Sequence, residues 1–313
     1  MPISNYPGGF LNGVAIRGIP VLNMYSGSVF WVDSTTGADS GKGTYRSPFA
    51  TLDYAVGRCT ANKGDKIFVM PNHAETYNGV AALALDVAGI DIIGLGNHNN
   101  RPRFLMDGTA AATTTALVSA ADVSIHNCVF ASGYLLTTTC FNITGKGFWA
   151  NGLEFEDNTT AENWATPFKA TGAANTADGL KITNCRWVPL VATVNALEFV
   201  EITDNISHLT IEDNFIAHEG TASPLFLQAG TKVMHGAKIL RNFLSHKMTA
   251  GDLAFNNGGS TNSGIIAHNR IGHADVTSVH EMGAVAGCRF FDNLSVSTDA
   301  LSGFVLPAID ADS

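Results

Sequence analysis

Three histidines at matched positions are the residues best placed for chemistry. His218, His246 and His273 each stand four residues after an asparagine, namely Asn214, Asn242 and Asn269. Imidazole titrates near neutrality and ligates transition metals, so a file of three offers a weak candidate metal site or a pH-sensitive patch. The plainer reading is a surface ladder, with no metal and no cofactor expected.

Carboxylates come next. Glycoside hydrolysis needs two carboxyl groups roughly 5 to 9.5 Å apart across the scissile bond. Calcium-assisted proton abstraction needs several carboxylates around the metal and a basic Arg or Lys. Asp157, Glu212, Asp213 and Asp292 recur near equivalent places in the chain, yet no basic residue recurs beside them in the pattern such a site requires. Asp178, in ANTADGLKI, reads as a turn residue. His280-Glu281 begins like a zinc-protease helix, but Ala284 stands where the second His belongs and Gly283 weakens the helix. No Walker loop, nucleophile elbow or dinucleotide fingerprint occurs. No residue is assigned a catalytic role.

The asparagines themselves point to what positions these side chains. VSIHNCVF around Asn127 returns as FWANGLEF (Asn151), LKITNCRWV (Asn184), LTIEDNFIAH (Asn214), AKILRNFLSH (Asn242), GIIAHNRIGH (Asn269) and RFFDNLSV (Asn293). The steps run from 24 to 33 residues, about 28 on average. Short alternating strands at that period indicate a coiled stack, because a lone coil cannot bury its apolar face. Stacking puts equivalent residues above one another about 4.8 Å apart. The seven asparagines are therefore expected at one repeated turn, forming a structural ladder and using the left-handed geometry that Asn tolerates.

Ahead of the stack, Phe49, Leu52, Ala55, Val56 and Cys59 fall at helical spacing behind Ser47-Pro48, a good N-cap and first-turn pair. This predicts a capping helix at about 47–60 that covers the open first coil. The expected organisation is an N-terminal arm over 1–28, a solenoid over 29–300 and a C-terminal cap or tail over 301–313.

The 313 residues carry a formal charge of -9 and only 14% charged residues, against roughly 25% in ordinary globular chains. Such a surface repels phosphate backbones, so no nucleic-acid partner is expected. No window of 18 uninterrupted apolar residues occurs, and the start lacks a signal peptide, so no membrane partner is expected. Five cysteines without metal-ligand spacing read as buried, reduced thiols.

The order FWVDSTTGADSGKGTYRSPFATLDYAVGRC, GDKIFVMPNHAETY and IDIIGLGNHNNRPRF resembles the N-terminal signature of right-handed parallel β-helix proteins of the pectin-lyase type. The segment GVAIRGIPVLNMYSGSVFWVD also resembles uncharacterised virion proteins of tailed bacteriophages. The resemblance implies an all-β, single-stranded right-handed parallel β-helix. Of the paired-Asp, Gly-His-Gly and Arg-Ile-Lys elements of polygalacturonases, none is present. The phage resemblance implies a noncatalytic capsid decoration or cement protein. It would be a homotrimer bound to the major capsid protein on the virion's outer surface, made in the host cytoplasm. Val14, Ile16, Ile19 and Val21 in the arm, and Phe304 and Leu306 in the tail, are the expected interface residues. The alternative is a tailspike-like depolymerase or glycan-binding protein acting on host surface glycans, with Trp149, Trp164 and Trp187 as candidates for stacking on sugar rings.

Overall fold

The computed structural model describes residues 27–107, 115–134, 137–159, 162–188, 197–218, 226–246, 255–257, 261–273 and 287–297, with the backbone of 15–16 and 19–20. Within them the chain winds as an all-β, single-coil parallel solenoid. Strands from successive coils pair in parallel into three sheets of ten, nine and seven strands. The first sheet runs from Val29–Val32 to Cys288–Phe291. The second runs from Ala74–Tyr77 to Leu294–Ser297, and the third from Leu83–Leu85 to Phe255–Asn257.

Alternation along each strand decides what lies inside. Ile67, Ile92, Ile125, Ala150, Ile182, Ile211, Ile239 and Ile266 form one buried column in the first sheet. The second sheet adds Phe104, Phe130 and Phe155, whose rings stack at 5.2 and 6.3 Å between centroids. From the third sheet, Phe141 and Phe168 stack at 5.5 Å. Burying such a column is the driving force for coiling, at about 25 cal/mol per Å² of apolar surface.

The capping helix is Leu52–Arg58, shorter than the sequence suggests. Its N-cap is Thr51, whose hydroxyl accepts from the Tyr54 N–H at 3.4 Å, and not Ser47. Ser47 is bridged to Thr44, and Phe49 to Val32, so both are drawn into the first coil. The helix buries Leu52, Ala55 and Val56 against strands Val29–Val32, Lys66–Val69 and Leu83–Leu85, closing the stack.

The asparagines do not share one position. The left-handed corner between the first two sheets is occupied in turn by Asn127, Gly152, Asn184, Asp213, Arg241, His268 and Asp292, with φ between 52° and 65°. Asn127 and Asn184 thus stand at the turn itself. Asn151 precedes it, facing outward, and its Oδ1 accepts from the Asn184 amide and the Thr183 hydroxyl, both at 2.9 Å. Asn214, Asn242, Asn269 and Asn293 follow it and point inward, buried to 3% exposure or less. In the earlier coils Cys128, Leu153 and Cys185 fill that inward place. The physical reason is geometric. The corner needs positive φ, which several polar residues tolerate, whereas the inward position needs either an apolar side chain or one that satisfies buried backbone groups.

Ahead of the first coil, Ala15–Ile16 and Ile19–Pro20 pair antiparallel, Ile16 opposite Ile19 in register. Val14, Val21, Phe304 and Leu306 lie outside the described residues, as do His280, Glu281, Gly283 and Ala284.

Candidate functional site

Counting from the left-handed corner gives the site's address. The residue two places after each corner begins the next strand and faces out from the second sheet. These are Val129, Glu154, Arg186, Phe215, Phe243, Arg270 and Leu294, and Arg103, paired with Val129, heads the column in the coil before. Along the strand Glu154–Asp157, Glu156 faces the same way two residues on, about 6.6 Å away at two strand rises.

The first four rungs of that column form the floor of an open groove of about 410 Å³. His98, Asn99 and Arg101, from the turn before the strand Arg103–Met106, form its wall, and Glu156 completes the lining. His98 adopts φ 50°, which turns the chain sharply there. Three guanidinium groups face two carboxylates. Arg101 pairs with Glu154, Arg186 reaches the same carboxylate through Nε at 3.4 Å, and Arg103 Nε lies 3.5 Å from Glu156. Arg103 also donates to Asn158 Oδ1 at 3.2 Å. These planar groups fix one another's orientation, which lowers the entropy lost when they engage a ligand.

Beyond the groove the same column turns aromatic. Arg186 lies over the Phe215 ring at 5.3 Å, and Phe215 and Phe243 stack at 4.9 Å with planes 3° apart. The faces of Phe215 are thus covered along the solenoid axis, leaving ring edges outward.

The sequence-derived candidates are dispersed. Asp157 is buried at 4% exposure. Asp178 accepts from the Ser207 N–H at 2.8 Å and so is a turn residue. Glu212 and Asp213 flank Arg241, at 3.4 and 2.7 Å, which supplies the basic neighbour that the local sequence lacks. The hydrogen bonds from Arg241 hold the Asp213 carboxyl below its ordinary value. Asp292 is near His268 at 3.7 Å, three coils from Asp213.

His218 pairs in register with His246, and His273 ends the strand of the following coil. The backbone therefore files the three histidines, while their side chains lie outside the described residues. Among the described residues, no group of three or more His, Cys, Asp or Glu side chains could hold a metal ion. Of the three candidate tryptophans among the chain's four, Trp164 and Trp187 are core residues at 0% and 1% exposure, and Trp149 is exposed, at 39%. Trp149 donates to the Thr183 hydroxyl at 2.9 Å and meets His126 edge to face.

Sequence reasoning passed over Arg101, Arg103, Glu154, Glu156 and Arg186. For Glu154, Glu156 and Arg186 the signal was the distance from the corner residue, which becomes readable only once the corners are separated from the inward asparagines; Arg103 is placed only by its pairing with Val129.

The five cysteines are free; Cys128, Cys140 and Cys185 are buried, and burial pushes the Cys128 and Cys185 thiols up to about 12. No helix among the described residues is long and apolar enough to cross a membrane.

No protein-family model matches the chain, and no curated protein matches it. Among solved structures it is similar to a rhamnogalacturonan lyase, with a TM-score of 0.44 at 12% identity over 90% of each chain. It is also similar to the pectin methylesterase from Aspergillus niger, with a TM-score of 0.41 at 13% identity over 87% of this chain and 86% of that one. A GH136 lacto-N-biosidase from Eubacterium ramulus gives 0.34 at 11% identity, covering 86% and 67%. At these scores the fold rests on the strand pairing itself.

Proposed function

We propose that this protein is a glycan-binding solenoid that holds its ligand in the groove of Arg101, Arg103, Glu154, Glu156 and Arg186. The observation that carries this reading is the ion-paired lining of an open groove on a rigid sheet. Sugars present neighbouring hydroxyls that both donate and accept, and fixed guanidinium and carboxylate planes answer both needs. Phage-associated decoration of a capsid, as a homotrimer, is the second reading. Its support is the outward apolar pair Phe215 and Phe243, with Leu294 beyond Arg270 in the same column, each of the three about two-fifths exposed, which suits a protein partner.

A glycan array probed with the purified protein tests the first reading. Retention that is lost in Arg186→Ala is the expected result, and no retention on any glycan would overturn it. Incubation of a retained glycan, followed by reducing-end analysis, then separates binding from cleavage; an unaltered chain is expected. Co-sedimentation with capsids would favour the second reading.

A further inference from the structure

The third sheet carries a cluster that the groove does not use. Thr166 and Lys169 lie on the strand Trp164–Ala170, with Glu198 just before, and Glu201 on, the strand Val200–Ile202 of the next coil. Phe168 pairs with Val200 and Lys169 with Glu201, which sets Thr166 beside Glu198. The Thr166 hydroxyl donates to Glu198 Oε1 at 2.9 Å, and Lys169 Nζ lies 2.6 Å from Glu201. Glu198 is buried at 8% exposure, and Glu201, held by Lys169, follows three residues later on the same coil.

Two carboxyl groups in one cluster, one of them buried, cannot both ionise cheaply, and only Glu201 has a cation in contact. The neighbours do not change this balance. Thr139, paired with Thr166 in the coil before, and Asn142, paired with Lys169, are neutral, as is Gln228, paired with Glu201 in the coil after. Among the described residues, Glu201 and Lys169 are the charges that act on Glu198.

We propose that Thr166, Lys169, Glu198 and Glu201 form a proton-gated latch that fastens the entry of the strand Val200–Ile202 to its neighbouring coils. The latch is closed while Glu198 keeps its proton and shares it with Glu201. When the proton leaves, two carboxylates face each other over a single ammonium group, and the entry segment loosens. The backbone bonds exposed to this are Leu197 N–H to Ala165 O at 2.9 Å, Phe168 N–H to Phe199 O at 3.1 Å and Val200 N–H to Phe226 O at 3.0 Å. Burial, more than the neighbouring charge, pushes the Glu198 carboxyl up to about 7, so the gate operates around neutral pH.

Hydrogen exchange of the full chain at pH 5.5 and pH 8, corrected for intrinsic exchange, tests this. Protection of the Leu197 and Val200 amides should fall by about tenfold at the higher pH, the equivalent of one pKa unit. In Glu198→Gln the protection should be the same at both. Equal protection in the native chain, or an unchanged pH response in the variant, would overturn the latch. Because that variant carries a folding risk, a carbon-detected titration of Glu198 in the native chain gives an independent reading. A midpoint near 7 is expected, and one near the ordinary glutamate value would overturn the proposal. Lys169→Met should move that midpoint upward, since the ammonium group that favours the Glu198 carboxylate is then gone.

Discussion

Asn214 and Asn242 stand one above the other in consecutive coils. The Asn242 Oδ1 accepts both the Asn214 side-chain amide at 2.9 Å and the Asn214 backbone N–H at 3.1 Å. Asn242 in turn donates to Ile211 O and to the Asn269 Oδ1, each at 2.9 Å, and the pattern repeats from Asn269 to Asn293. Each amide thus satisfies backbone groups that the inward turn leaves unpaired, inside an otherwise apolar core.

Breaking this ladder should be costly. Asn242→Leu keeps the volume but orphans two donors on Asn214 and one carbonyl on Ile211. A loss of about 3 kcal/mol is expected, from buried polar groups left unpaired. A lowered urea midpoint checks it, and an unchanged midpoint would mean the ladder is decorative.

Acidity should act through Glu198 in a defined direction. The fold keeps this proton up to about 7, whereas the unfolded chain releases it near 4.5. Its contribution to stability is therefore greatest below 4.5, shrinks as pH rises from 4.5 to about 7, and is flat above. The melting temperature of the native chain minus that of Glu198→Gln should decline across that window. A difference that rises with pH would refute the assignment.

Glycan binding and stability should separate in the groove. Arg186 is half exposed and pairs with Glu154 at 3.4 Å, so Arg186→Ala should cost no more than about 1 kcal/mol of stability. Its effect on glycan retention should be far larger, and should weaken with added salt in the native chain. Thermal melts alongside array binding would show whether the two effects part.

Glycine substitutions give a sharp contrast between two places. A Cβ on Gly94 would stand 2.3 Å from Asn127 O of the next coil, so Gly94→Ala should destabilise by about 1–3 kcal/mol through overpacking. A Cβ on Gly57, exposed on the capping helix, meets nothing within 4 Å, and Gly57→Ala should stabilise by about 0.5–1 kcal/mol. Denaturant titration of the two variants should move in opposite directions.

The repeat was legible in the sequence because stacking forces like residues to recur at like places. Alternation in KIFV, DIIG and TIE marks the inward isoleucines directly. Helical spacing announced the helix, although its cap was misplaced because Ser47 and Phe49 are recruited by Thr44 and Val32, contacts that local propensity does not encode. Register was harder. Asn184 and Asn214 look equivalent by eye, yet one is the corner and the other the residue after it, and a slip of one place exchanges outside for inside.

The groove lay deeper still. Arg101 and Glu154 are 53 residues apart, Arg241 and Asp213 are 28 apart, and Thr166 and Glu198 are 32 apart. By itself the sequence determined that this chain coils, since period and alternation are local and every coil repeats them. Only the tertiary structure decided which charges meet. Coils differ in length, so the pairing between side chains is set by the lateral hydrogen bonds between strands.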